Sequence, residues 1–274
     1  MSGPIGLTIE RGIGVVRFDN PPRGYLDAAQ TEALARAVET LATDPAVRTV
    51  VFTGAVPGVF IRHYDVSEII AAADHARATG LDEAALMAAA AGGNPVTRTF
   101  EAIDALAKPT IAAINGYCQG GGFELALCCD LRITEPGEFR IGLPETNVGI
   151  FPGAGGTERL PRLIGEARAL ELILRGRTVG PDEALALGLV HAVASEGALA
   201  RAMTIAAELA AKPAGGLAEA KALIKNRADL DLAAAAAFAR GRFISLIVSD
   251  PEAAGAMRAF LATGEDINAA PPVP

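Results

Sequence analysis

The sequence predicts an α/β fold, and three observations lead to it. Short β-rich runs alternate with helical patterns along residues 7–193. At the centre, in the stretch Lys108 to Pro152, the apolar run Thr110 to Ile114 is followed by three glycines, Gly120, Gly121 and Gly122. An apolar helical pattern at Leu125, Leu127 and Cys128 comes next, so the centre reads as strand, glycine turn, helix. From Glu196 to Leu261 the periodicity is helical throughout, broken at Lys212-Pro213, Gly215-Gly216 and Asp250-Pro251. With 274 residues, 51% of them apolar, the chain can bury a full core as one large domain or as a domain with a helical appendage.

Taken in order, Leu7 to Glu10 and Val15 to Asp19 are short alternating segments around Arg11-Gly12-Ile13-Gly14, which reads as a hairpin. Asn20-Pro21-Pro22 ends the second strand. From Ala28 to Leu41, Ala33, Leu34, Ala37, Val38 and Leu41 share one helical face; Asp44-Pro45 stops that helix, and Arg48 to Thr53 is the next strand. Ser67 to Ala91 is alanine-rich and reads as one or two helices divided near Thr79-Gly80. Val96 to Ala107 is a further helix leading into Lys108-Pro109. After the central stretch, Gly153 to Thr157 opens a helix carrying Arg159, Leu160 and Leu163. Ala167 to Leu174 and Pro181 to Leu187 are two more helices, and Gly188 to Val193 is a short strand. The tail, Gly264 to Pro274, reads as disordered.

A helix that starts at consecutive glycines leaves backbone N–H groups unpaired at its first turn, where they can face an oxyanion. Glycine permits close approach of a ligand carbonyl and a tight turn. Glu124 stands two residues after the glycines, and a second carboxylate, Glu145, follows in the turn Leu143-Pro144-Glu145. On the residues alone, a plain strand-to-helix turn with a surface glutamate favoured by the helix dipole fits equally well.

Composition narrows the function classes. The formal charge of −8 argues against a broad nucleic-acid footprint, which needs a basic face. Cys118, Cys128 and Cys129 form no C-x-x-C pair and suggest neither a disulfide framework nor a zinc site; they read as small buried apolar residues. Aromatics make up 5% and Trp is absent, so alanine and aliphatic residues must supply the packing. The start MSGPIGLTIERG lacks a basic region followed by an apolar run, and no uncharged apolar run reaches membrane-spanning length. A cytoplasmic protein without membrane or nucleic-acid partners is the expectation. The glycines at 153–156 lack both phosphate-loop and dinucleotide spacings, and no G-x-S-x-G is present.

The segments INGYCQGGGFELALCCDLRI and GLPETNVGIFPGAGGTERLPRLIG resemble the core of the crotonase (enoyl-CoA hydratase/isomerase) superfamily. Its pattern is N-G-x-x-x-G-G-G-x-E-L-A-x-x-C-D, then P-E-x-x-x-G-x-x-P-G-x-G-G-x-x-R-L. The similarity runs from about Leu7 to Ala194 and more faintly to Leu261. The resemblance implies a crotonase-like ββα spiral core over residues 1–195, a C-terminal helical trimerisation region over 196–263, and trimers or dimers of trimers. It implies an acyl-CoA substrate, with coenzyme A as part of the substrate and no separate cofactor or metal. Glu124 would orient and deprotonate water, and Glu145 would protonate the α-carbon of a trans-2-enoyl thioester. The backbone N–H groups of Arg62 and Gly121 would form the oxyanion hole. Gly120, Asp65, Pro144 and Gly153 would contact substrate. Both carboxylates being present favours a hydratase over an isomerase, for which a single base suffices.

The chain departs from the family pattern at three places. Gly24 stands where an Asn is usual. In Phe60-Ile61-Arg62-His63-Tyr64-Asp65-Val66, Arg62 and His63 replace the Ala and Gly of F-x-A-G-x-D-[LI]. A main-chain donor survives any substitution except proline, so Arg62 could still supply one. His63 and Tyr64 either pack beside the acyl group and narrow the pocket, or His63 adds an acid/base group, an unperturbed imidazole titrating near neutrality. His63 and Asp65 without a third ligand do not make a metal site. Near the C-terminus, Ala262-Thr263-Gly264 stands where a basic residue usually meets CoA phosphate. The alternatives to a hydratase are an isomerase, a hydrolase or carbon–carbon bond-cleaving enzyme using His63, and a non-catalytic binding protein on the same fold.

Overall fold

The computed structural model describes residues 4–225 and 231–263; the tail expected from Gly264 onward lies outside them. Strands β1 (Ile5–Glu10) and β2 (Ile13–Phe18) form the expected antiparallel hairpin, with Glu10 opposite Ile13. Its turn is shorter than the sequence suggests. Arg11 and Gly12 both hold positive φ (50° and 79°), the combination a two-residue hairpin turn requires, and Ile13 and Gly14 belong to the strand.

Helix α1 (Ala28–Thr43) is capped by Asp27 and buries Leu34, Ala37, Val38 and Leu41 as expected, together with Gln30 and Thr31. It leads to β3 (Thr49–Gly54) and β4 (Gly58–Ile61). The alanine-rich stretch divides at Gly80 into α2 (Val66–Thr79) and α3 (Glu83–Ala90), neither of which buries a residue. Asn94 and Thr97 form a capping box that starts α4 (Pro95–Asp104).

The central stretch holds three strands more than the sequence reading gave it. β5 (Thr110–Ile114) continues after Asn115 as β6 (Gly116–Gln119), which belongs to a different sheet. Asn115 makes the transfer possible: its side chain accepts from Gly54 N–H (3.0 Å) and donates to Gly54 O (3.1 Å), standing in for the ladder bonds the chain gives up as it leaves. The rest of the core comprises α5 (Gly121–Cys128), β7 (Leu131–Thr134), β8 (Ile141–Gly142), α6 (Gly156–Ile164), α7 (Glu166–Leu174), β9 (Thr178–Val179), α8 (Pro181–Ala186) and β10 (Ala192–Val193). The strand expected over Gly188–Val193 is therefore only two residues long.

The strands build a six-stranded sheet in the order β1-β2-β3-β5-β7-β10 and a four-stranded sheet in the order β4-β6-β8-β9. All neighbours are parallel except β1–β2 and β8–β9. Side-chain alternation splits the core in two. Val50, Phe52, Ala112 and Ile114 face a cluster with Phe60, Phe100, Phe123 and Leu125. Val51, Ile111, Ala113 and Ile133 face the other way, onto Ala198, Ala202 and Ala206 of α9 (Ala198–Ala210). The structure thus seats α9, assigned from sequence to the C-terminal region, on the main sheet.

Beyond it lie α10 (Ala214–Lys225), α11 (Leu232–Ser249) and α12 (Pro251–Thr263). Gly215 and Gly216, expected as a break, lie inside α10. α11 is long and apolar enough to cross a membrane by length and composition, with a mean hydropathy of 1.5. It nonetheless carries Arg240 and Arg242, and Arg242 pairs with Glu219 of α10.

Where β4 meets α5, backbones approach so closely that only glycine fits. A Cβ on Gly122 would stand 2.2 Å from Ile61 O. We expect Gly122→Ala to cost about 1–3 kcal/mol in a denaturant titration. Gly92→Ala, where a Cβ meets nothing within 4 Å, should change stability by less than about 0.5 kcal/mol.

Candidate active site

The segment after β4 stays extended and pairs with residues 24–26. Arg62 N–H donates to Gly24 O (2.8 Å), Leu26 N–H to His63 O (2.9 Å) and Asp65 N–H to Leu26 O (2.8 Å). These bonds correct one sequence expectation, because the Arg62 N–H offered as an oxyanion donor is already committed. Its side chain also points elsewhere, over the Tyr117 ring at 4.3 Å. The Tyr64 N–H makes no hydrogen bond among the described residues. A Cβ built on Gly121 would stand 3.6 Å from Tyr64 N, so the free donor facing Gly121 is that of Tyr64. The replacement of Asn by Gly24 also acquires a reason: Gly24 holds φ +67°, and a Cβ there would stand 2.6 Å from Val59 Cγ1.

Opposite this segment, Gly120 caps α5 with φ 51° and ψ −129°, a conformation reserved for glycine. Its carbonyl accepts from Phe123 and Glu124 N–H, while the Gly121 N–H is left at the open helix end. Two free main-chain donors, from Tyr64 and Gly121, therefore converge beside the three-glycine turn.

Glu124 lies one turn into α5 and is 3% exposed. Its Oε1 accepts from Ala154 N–H (2.7 Å) and Gly156 N–H (2.9 Å), so the glycine-rich turn before α6 grips this carboxylate. Burial raises its pKa; the two backbone donors and the Arg159 cation oppose that rise. Glu145 begins the 3₁₀ turn Glu145–Val148. Burial, then the charge of Glu124, push its pKa up to about 7, and its Oε2 is buried without a partner. The same probe point, a Cβ on Gly120, stands 3.1 Å from Glu145 Oε1 and 3.5 Å from His63 Cβ, so these side chains flank the glycine turn.

Glu124, Glu145, His63, Tyr64, Gly120 and Gly121 all line one cavity of about 1270 Å³, as do Pro144 and Gly153. Asp65 does not: its carboxylate caps α2, accepting from Ser67 N–H (2.9 Å) and Ser67 Oγ (2.6 Å), which corrects its assignment as a substrate contact. His63 bonds through Nδ1 to Tyr64 O (2.7 Å) and stacks on Tyr25 with ring centroids 4.1 Å apart. A carbonyl accepts only, so Nδ1 carries the proton and Nε2 is the acceptor of the neutral ring. Tyr64 donates its hydroxyl to Glu68 Oε2 (2.6 Å); burial, then this bond, raises the phenol pKa. Glu68, which the sequence reading missed, also accepts from Ala28 N–H (3.0 Å) and ties α2 to α1. The three cysteines are buried and free, as expected. Among the described residues no cluster of His, Cys, Asp and Glu is suited to a metal ion.

The model of the enoyl-CoA hydratase/isomerase family matches residues 8–266. The chain belongs to that family. This family member is 36% identical to a probable enoyl-CoA hydratase of Bacillus subtilis over 210 residues, covering 76% of each protein. It is 38% identical over 205 residues to the peroxisomal bifunctional enzyme of Danio rerio; the match takes in 75% of the chain but spans only 26% of that longer protein. The crystal structure of an enoyl-CoA hydratase from Bacillus anthracis superposes with a TM-score of 0.82 at 30% identity, covering 95% of this chain and 97% of that one. The α/β architecture with its C-terminal helices is therefore the crotonase fold.

Because the folded state holds Glu145 protonated to about pH 7, its contribution to stability is complete below the ordinary glutamate pKa and is lost as pH rises from about 4.5 through 7. Glu145→Gln should thus match wild type in thermal stability near pH 5 and exceed it at pH 8.5, by an amount on the order of 2–3 kcal/mol.

Proposed function

We propose that this family member is an enoyl-CoA hydratase, adding water across the double bond of a trans-2-enoyl-CoA to give a 3-hydroxyacyl-CoA. The observation that carries the reading is the pair of glutamates in unlike environments beside two free main-chain donors. The Tyr64 and Gly121 N–H groups would polarise the thioester carbonyl and stabilise the negative charge that develops on its oxygen as water adds at the β-carbon. Glu124, held by two backbone donors and facing Arg159, is the carboxylate suited to accept a proton from water. Glu145, raised to about 7 with a buried oxygen free, is suited to deliver a proton to the α-carbon. Two carboxyl groups of different pKa supply the base and the acid that hydration needs, and no other cofactor enters the chemistry.

The names of the relatives point the same way, toward enoyl-CoA substrates. Phe238, Phe243, Ile244, Val248 and Leu261 on α11 and α12 are exposed in the single chain, and a homotrimer would cover them. Light scattering should then give three times the 28.0 kDa chain mass, or six times for a dimer of trimers. A second reading, hydrolysis or carbon–carbon bond cleavage with His63 as base, draws on the tautomer that leaves its Nε2 lone pair available.

The test is loss of enoyl-thioester absorbance with crotonyl-CoA and a longer trans-2-enoyl-CoA. Glu124→Gln and Glu145→Gln should each lower kcat by about 10²–10⁴. Tyr64→Pro, which removes the main-chain donor, should cost about 10²–10³, whereas Tyr64→Phe, which keeps it, should cost far less. No turnover by wild type would end the hydratase reading and send the assay to other acyl-CoA esters with His63→Ala.

A further inference from the structure

Glu124 is held by a turn, and that turn is itself held. The guanidinium of Arg159, 17% exposed, donates through one nitrogen to Ala154 O (3.2 Å) and through Nε to Asp104 Oδ2 (3.1 Å). Ala154 is the same residue whose N–H grips Glu124 Oε1. Gly155 lets the guanidinium lie against the turn, since a Cβ there would stand 1.8 Å from the nitrogen that bonds Ala154. Asp104 in turn shares its other oxygen with Lys225 of α10 (2.5 Å), and Lys225 also reaches Asp130 (3.1 Å) and Cys128 O (3.0 Å) at the far end of α5.

We propose that Arg159 is a positioning residue for catalysis, fixing the 153–156 turn so that its N–H groups orient Glu124, with Asp104 and Lys225 anchoring the guanidinium from behind. The inference rests on Glu124 being the base of the proposed hydration. A chain of contacts runs from α10 through Lys225, Asp104, Arg159 and Ala154 to the reacting carboxylate, and each link is a hydrogen bond or ion pair. Arg159 acts in two separable ways. It fixes geometry through Ala154, and its cation favours ionised Glu124. Other charged groups around Glu124 are Glu158 on α6 and Glu145 on the 3₁₀ turn, both acidic, so Arg159 is the cation that opposes them.

The experiment compares wild type with Arg159→Met, Arg159→Lys and Asp104→Asn. It uses pH–rate profiles for enoyl-CoA hydration and a carboxyl NMR titration of Glu124, assigned with Glu124→Gln. Arg159→Met should lower kcat about 10-fold or more, since a small misplacement of a catalytic group is enough for that, while KM changes little. The limb of the profile that reports the ionised base, and the Glu124 titration with it, should move to higher pH. Arg159→Lys should bring the limb and the titration back toward wild type while leaving kcat low, because an ammonium keeps the charge and loses the forked contact. Asp104→Asn should lower kcat with the limb little changed. Unchanged limb and titration in Arg159→Met, or a kcat loss that only tracks a fall in Tm, would overturn the proposal. If Arg159→Met does not fold, Arg159→Lys and Asp104→Asn decide it: kcat equal to wild type in both overturns it. Wild type inactive toward every enoyl-CoA would instead defeat the hydratase reading. The NMR titration is still readable in that case.

Discussion

The close approach of two backbones governs this molecule. Gly120 to Gly122 lie against the chain from Ile61 to Tyr64 at distances that a Cβ on Gly122 would violate. From that contact follow the free N–H of Gly121, the orientation of α5 and hence the place of Glu124. The extended 62–65 segment is held from its other side by Gly24 and Leu26, whose carbonyls accept from Arg62 N–H and Asp65 N–H. One set of donors faces the 24–26 strand and is satisfied; the Tyr64 N–H faces Gly121 and stays free. A free donor is costly unless a ligand completes it, which is the role proposed here for the Tyr64 and Gly121 N–H groups.

Much of this was legible in the sequence, for definite reasons. The three glycines mark a backbone contact that admits no side chain, and Glu124 and Glu145 take their meaning from a motif that fills the centre of the chain. What sequence could not reveal was which main-chain donor is already paired. Arg62 and Tyr64 lie on the same extended segment, and only the pairing of Arg62 N–H with Gly24 O decides which donor is free. Asp65 looked like a ligand contact and is a helix cap; the Ser67 two residues on was the signal, since Asp before a helical run is a favoured N-cap. The extra strand β6 was hidden because Asn115 satisfies Gly54 with a side chain in place of backbone, which no periodicity reports.

The C-terminal half divides by the same physics. α9 is alanine-rich at the spacing that meets the sheet, and Ala198, Ala202 and Ala206, all fully buried, let it sit close against the strands. α10 joins the core through charge: Lys221 pairs with Asp130 at 2.8 Å, and Lys225 with Asp104 and Asp130. Lys221 is 10% exposed, a setting in which losing the partner carboxylate leaves a stranded cation. α11 and α12 bring apolar residues to the surface that this single chain does not cover.

Two glutamates in one cavity would repel if both were ionised, and the fold resolves that by giving them different neighbours. Burial favours the neutral form of each. Only Glu124 receives two main-chain donors and a nearby guanidinium, all of which favour its charge; Glu145 has its own N–H and, against it, the charge of Glu124. The neighbours of Glu124 favour its ionised form, and its charge favours the protonated form of Glu145. That asymmetry is what the proposed hydration would need, one carboxylate to take a proton from water and one carboxyl group to give a proton to carbon, and it arises from where the 153–156 turn points its N–H groups. The glycines of that turn, which in sequence resemble a phosphate loop without its spacing, serve here to solvate a carboxylate of the chain itself.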